Sequence, residues 1–255
     1  MKKTLALLSL LILVGCGSSG DLGSSSAPTG GSSNNNSQAN ANVSGRLVPP
    51  APPGAPGSAT PRAVLPRLEN EPIRPLGTPL VVSLRQGWNL FAMPFSPPTT
   101  LTVSQPTNIL GFSQYNASSG QYVDLPFTAS TFTTANPFSG YWLYANAPTT
   151  VTMDGVDQHE STLQTPLVVG WNLVGTPLST DVPTSDIVYG GDSLVQAFAT
   201  FRLWPGVLGF DGSNYAETGH PPTVLRAGES QWIYAYQADT LSRLGDPVGA
   251  RRTSE

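Results

Sequence analysis

Apolar residues fall along this chain in three regimes, and each predicts a different kind of structure. Residues 5–14 are apolar at every position except Ser9. From residue 17 to about residue 78 there is no apolar periodicity of either the helical or the strand kind. Beyond that point, short aromatic and β-branched runs recur between Gly, Pro, Asn and Ser, which is the pattern of strands joined by turns.

Within the third regime, Tyr141-Trp142-Leu143-Tyr144 and Gln231-Trp232-Ile233-Tyr234 read as strands. Residues 112–115 and 122–125 read as a strand pair around the loop Asn116-Ala117-Ser118-Ser119-Gly120-Gln121. Asp211-Gly212-Ser213-Asn214 carries the Asp-Gly pair that suits positive φ in a turn. No stretch after Val14 sustains ten residues of 3.6 periodicity, so the pattern admits no more than short helical turns at 185–189 or 192–198. The expected fold class is all-β.

A repeat organises this region. Leu84-Arg85-Gln86-Gly87-Trp88-Asn89-Leu90-Phe91-Ala92-Met93-Pro94 and Leu167-Val168-Val169-Gly170-Trp171-Asn172-Leu173-Val174-Gly175-Thr176-Pro177 place Gly, Trp, Asn, Leu and Pro at one spacing. Each copy later carries a matched aromatic strand, at Tyr141-Trp142 and at Gln231-Trp232, after an aromatic hairpin-like stretch. The expected architecture is two tandem related antiparallel β modules, sandwich- or barrel-like, at 79–158 and 159–248, with a disordered tail at 249–255. Trp88 and Trp171, repeated at one position, are expected in the core. Trp142 and Trp232 are expected in the core or at an interface.

The first regime reads differently. Lys2 and Lys3 precede an apolar run too short to span a bilayer, which takes about 20 residues, so residues 1–15 read as a secretory signal peptide. Leu13-Val14-Gly15-Cys16 resembles the lipobox of bacterial lipoproteins, and Cys16 is the one cysteine of the chain. That resemblance implies a diacylglyceryl thioether on Cys16 and cleavage before it, leaving an acylated (palmitate-bearing) mature chain anchored to a lipid bilayer. Thiol chemistry is what requires Cys at this position. Gly17-Ser18-Ser19 follows, with no Asp beside the cysteine, which implies the outer membrane if the envelope is Gram-negative.

Residues 16–78 are expected to form a disordered stalk. Its first stretch is rich in Gly, Ser and Asn; its second carries Pro49-Pro50-Ala51-Pro52-Pro53 and then Pro56, Pro61, Pro66, Pro72 and Pro75. Neither stretch holds enough large apolar residues to offset the entropy of ordering. A spacer, a plain linker and a docking motif for a proline-binding partner are the readings of this segment.

The formal net charge is −4, and both lysines leave with the signal peptide. An acidic, arginine-poor mature surface argues against nucleic acid as a partner. One cysteine permits no internal disulfide, so an exported head must rest on its core.

The Gly-Trp-Asn-Leu openings at Gly87 and Gly170, each with a proline a few residues on, an aromatic hairpin and a final aromatic strand, resemble the GWNL-type modules of prokaryotic cell-surface proteins. Residues 80–155 and 163–246 follow that pattern. Copy two departs from it at Glu229-Ser230-Gln231, which replaces the usual Gly-Tyr, and in the insertion Leu203-Trp204-Pro205-Gly206-Val207-Leu208. The resemblance implies an extracytoplasmic β module without known catalytic residues.

No P-loop, G-x-S-x-G, H-E-x-x-H or G-x-G-x-x-G is present. The two histidines, His159 and His220, lie far apart in sequence. The cluster Asp154-Gly155-Val156-Asp157-Gln158-His159-Glu160 has the oxygen density for Ca²⁺ but not the spacing of an EF-hand, and its place between the copies suits a solvated connector. No catalytic residue, metal ligand or cofactor is expected. Trp204, placed by Pro205-Gly206 in an expected loop, and its neighbour Phe210 are the candidate ligand-binding residues. The layout of anchor, stalk and repeated head points to a non-enzymatic surface lipoprotein making structural or protein–protein contacts. A carbohydrate-binding surface lipoprotein, resting on Trp204, is the alternative. A hydrolase whose site is not visible as a motif is the second.

Overall fold

In both copies of the repeat, a glycine turns the chain from an outer sheet into an inner one. A computed structural model describes residues 47–54, 56, 78–133, 136, 138–156, 163–219 and 221–243. Cys16, His159, His220, Asp157 to Glu160, the tail at 249–255 and all of the signal peptide lie outside them. All described residues belong to one compact unit.

The first copy contains β1 (Leu80–Leu84), β2 (Gly87–Ala92), β3 (Thr100–Val103), β4 (Ile109–Asn116), β5 (Gln121–Asp124), β6 (Gly140–Ala145) and β7 (Thr149–Asp154). The second contains β8 (Gln164–Leu167), β9 (Gly170–Val174), β10 (Val182–Pro183), β11 (Ile187–Tyr189), β12 (Asp192–Ser193), the helix α1 (Leu194–Ala199), β13 (Leu203–Phe210), β14 (Tyr215–Gly219), β15 (Val224–Leu225), β16 (Gln231–Ala235) and β17 (Asp239–Arg243). The fold is all-β with one short helix. That helix is set by a capping box, Ser193 accepting from the Gln196 backbone while the Gln196 side chain accepts from the Ser193 N–H.

Sheet order repeats from copy to copy. The outer sheet runs β1-β7-β3 in copy one and β8-β17-β11-β12 in copy two; the inner sheet runs β2-β6-β4-β5 and then β9-β16-β13-β14. All pairings are antiparallel. Residues on the inner sheets alternate between two cores. Along β6, Tyr141, Leu143 and Ala145 join the core beneath the outer sheet of copy one, while Trp142 and Tyr144 join a third core. Along β16, Ile233 and Ala235 face the outer sheet of copy two, and Trp232 and Tyr234 point into the same third core. A strand buried on both faces carries an almost unbroken apolar run, and every residue of Gly87–Ala92 is buried. Four sheet layers thus enclose three cores, with the third shared by the two copies.

The repeated Gly-Trp-Asn makes the corner between layers. Gly87 and Gly170 have φ of +98° and +106°, which a residue with a Cβ rarely adopts. No atom lies within 4 Å of where either Cβ would stand, so backbone conformation, not space, selects glycine there. Asn89 Oδ1 accepts from the Arg85 N–H at 2.9 Å, and its Nδ2 donates to the carbonyls of Arg85 (2.8 Å) and Gly87 (3.0 Å). Asn172 makes the same three bonds with Val168 and Gly170, at 3.0, 2.8 and 3.0 Å.

The copies meet about a local twofold. The Ala92 N–H donates to the Gly228 carbonyl at 2.9 Å, and the equivalent Gly175 N–H to the Phe138 carbonyl at 2.8 Å. Close to that axis a Cβ on Gly140 would stand 2.7 Å from Ser230 Cβ, and one on Gly175 would stand 3.0 Å from Ala92 Cβ. These small residues are what let the sheets approach. Arg85 further ties the copies by donating from Nη2 to the Phe210 carbonyl at 3.2 Å and from Nη1 to the Asp211 carbonyl.

Candidate functional site

The shared core is aromatic almost throughout. Trp142 and Trp232 are fully buried, and Trp88 and Trp171 nearly so, at 5% and 8% exposure. The rings interlock edge to face across the twofold: Trp142 meets Phe210 at 5.0 Å and Trp232 meets Tyr115 at 4.9 Å. Each copy holds its own hairpin pair beside these contacts, Tyr115 with Tyr122 at 5.2 Å and Phe210 with Tyr215 at 5.3 Å. The edge-to-face pairs Trp142–Phe210 and Trp232–Tyr115 add about 0.5–1.5 kcal/mol each beyond burial.

These placements locate the two candidate binding residues. Trp204 is not in a loop: it lies on β13, and the register of β13 against β16 shifts between Leu203 and Val207. Pro205 lacks a ladder N–H, and a bulge is where a strand accepts it. The half-buried Trp204 indole packs edge to face on Trp171 at 5.9 Å. Phe210, also half-buried, closes on Trp142 and Tyr215. The exposed, loop-borne surface expected for these two residues is therefore replaced by a strand face that belongs to the shared core.

At the margin of that core the protein meets its own proline-rich segment, a contact that apolar patterning does not announce. Leu47 packs against the shared core and sits 3.5 Å from where a Gly111 Cβ would stand. Pro49 and Pro53 are buried. The Tyr122 hydroxyl donates to the Pro50 carbonyl at 2.6 Å, the Tyr215 hydroxyl to the Ala51 carbonyl at 2.7 Å, and the Trp171 indole N–H to the Gly54 carbonyl at 3.2 Å. Tyr122 belongs to copy one; Tyr215 and Trp171 belong to copy two. The segment therefore spans the junction. It pairs by carbonyls because its prolines have no N–H to offer.

Burial pushes the Tyr122 and Tyr215 phenols well above the ordinary tyrosine range, and the neighbouring tyrosines add to the rise. Both hydroxyls stay protonated donors at any physiological pH. Each lies beside an indole N–H, Tyr122 by Trp142 and Tyr215 by Trp232. Neither indole N–H makes a hydrogen bond, and the hydroxyl protons go to the segment's carbonyls.

Two polar groupings lie elsewhere. Ser113, buried in a half-open cleft of about 350 Å³, donates to Asp124 at 2.8 Å, its cross-strand partner on β5. Arg202 bridges Asp192 at 2.8 Å and also Asp239, with its guanidinium 5.3 Å above the Tyr189 ring. The first pair has no imidazole beside it among the described residues, and the second is a charge-neutralising tie between the α1 region and β17. Among the described residues no three His, Cys, Asp or Glu side chains gather as a metal site, and no helix is long and apolar enough to cross a membrane. The chain matches no protein-family model, no curated protein and no solved structure.

Proposed function

We propose that this chain is a lipid-anchored protein of the cell envelope, held by acylated Cys16, whose head makes structural or protein–protein contacts without catalysing a reaction. In this reading the head is a tandem pair of GWNL-type modules and its tether is the stalk expected at 16–78, except that residues 47–54, expected to be disordered, lie ordered against the head. The observation that carries the anchor is the lone Cys16 at the end of a short apolar run behind Lys2 and Lys3. What supports the contact role is the use of the aromatic side chains. They build a shared core and a margin that grips an extended peptide segment by its carbonyls.

Metabolic labelling with a fatty-acid analogue tests the anchor. The wild-type chain is expected to carry the label in the membrane fraction, and Cys16→Ser to lose both label and membrane association. Fatty-acid label retained on Cys16→Ser would overturn the reading.

A further inference from the structure

The proline-rich segment sits on the head as a ligand sits in a groove, and its chemistry defines what else the groove would take. All three donors, the Tyr122 and Tyr215 hydroxyls and the Trp171 indole N–H, read backbone carbonyls, not side chains. The groove's selectivity therefore rests on the backbone. It favours a segment that keeps its carbonyls outward, strands no N–H on an aromatic wall, and loses little freedom on binding. Proline-rich segments meet all three demands, which is why aromatic-lined grooves recognise them.

We propose that the surface formed by Tyr122, Tyr215 and Trp171 is a recognition site for proline-rich extended peptides. Residues 47–54 occupy it in cis, and a proline-rich segment of another protein displaces them. The proposal deepens the contact-making reading of the head by naming the class of partner. It rests on that reading only for where the partner is met, so peptide binding and fatty-acid labelling fail independently. Because the segment belongs to the same chain, a partner competes with it at an effective concentration on the order of millimolar. A partner must therefore be tight, multivalent or abundant to open the groove.

The test uses the purified full chain with residues 47–54 replaced by Gly and Ser at equal length. Near-ultraviolet circular dichroism checks the fold, and the probe is a synthetic Leu-Val-Pro-Pro-Ala-Pro-Pro-Gly peptide. Saturable binding is expected, read by tryptophan fluorescence, and at least about 10-fold weaker binding to the unaltered chain. Adding Tyr122→Phe and Tyr215→Phe keeps both rings and removes both hydroxyls. It is expected to weaken binding roughly 10-fold or more, at about 2- to 10-fold per hydrogen bond lost. A peptide with its four prolines changed to Ala is expected to bind several-fold more weakly.

If the replaced chain does not fold, nuclear magnetic resonance on the isotope-labelled unaltered chain decides. Excess unlabelled peptide is then expected to move the Leu47, Val48 and Ala51 backbone signals to free-chain positions by displacing them. Three results overturn the proposal: no binding to a folded replaced chain, binding indifferent to the two hydroxyls or to the prolines, and unmoved signals in the unaltered chain.

Discussion

In copy one the chain leaves its outer sheet at Gly87, and in copy two at Gly170, and the two corners match bond for bond through Asn89 and Asn172. Farther along, the copies diverge. Between its third outer strand and its inner hairpin, copy one uses a single tight turn at Pro106–Asn108. Copy two spends the equivalent stretch on β12, the capped helix α1 and a longer irregularity in β13, between Leu203 and Val207, where β4 shifts register only between Ile109 and Gly111. Individual residue pairs differ as well: Arg85 against Val168, Gly140 against Ser230, Tyr141 against Gln231. Likeness is kept at the corners and on the face turned to the shared core. Divergence reaches into the separate cores: α1 adds the buried Leu194, Ala197 and Phe198 to that of copy two.

Four experiments break or sharpen that comparison. Removing a ring from the shared core, by Trp142→Ala or Trp232→Ala, is expected to cost about 3–5 kcal/mol in denaturant unfolding, whichever copy carries it. Because the core is common, each variant is expected to lower one transition for both copies. Two separated transitions would show that the copies hold independently.

Gly140→Ala is expected to cost about 1–3 kcal/mol by overpacking, since its methyl carbon would stand 2.7 Å from Leu173 Cγ and from Ser230 Cβ. Ser230→Gly in the same chain is expected to recover part of that loss. A strictly additive pair would place the clash elsewhere.

Asn89→Ala and Asn172→Ala are expected to cost the same within error, about 1–2 kcal/mol each, as turn hydrogen bonds are lost. Unequal losses would mean that the corners differ in a way their bonding does not reveal. Gln231→Met is expected to raise stability by about 1 kcal/mol, because an apolar side chain of similar volume replaces an amide that is hard to satisfy. Gln231 is buried at 3% exposure with neither side-chain polar atom hydrogen-bonded. Its counterpart Tyr141 packs among aromatic rings on Phe112 and Phe132.

Local features of this fold are written locally. The hairpin at Asn116 to Gln121, the turn at Asp211 with Gly212 at φ +98°, and the two aromatic strands β6 and β16 follow from turn chemistry and composition. Of the helical turns admitted at 185–189 or 192–198, the second is α1, while the first is a turn at Thr184–Asp186 that gives way to strand at Ile187–Tyr189. The repeat itself identified Trp88, Trp171, Trp142 and Trp232 as buried. That their rings meet in a common core was not legible, because periodicity assigns a face to a strand but not the sheet that covers it. Trp204 misled for a related reason. Pro205-Gly206 signals a loop by composition, and only pairing with β16 turns it into a bulge. The grip on residues 47–54 left no trace in apolar patterning, since its currency is backbone carbonyls. The one usable signal was the density of prolines facing a chain otherwise rich in unassigned Tyr and Trp.

The small residues at the twofold decide with whom each half can associate. Two halves of the first kind, set together by the same operation, would press one Ala92 methyl against another at about the 3.0 Å separation that Gly175 now relieves. Two of the second kind would oppose Ser230 to Ser230 where Gly140 now leaves room. Unlike halves, both encoded on one polypeptide, meet without these clashes. The head is thereby a closed couple, whose mating face is spent within the molecule.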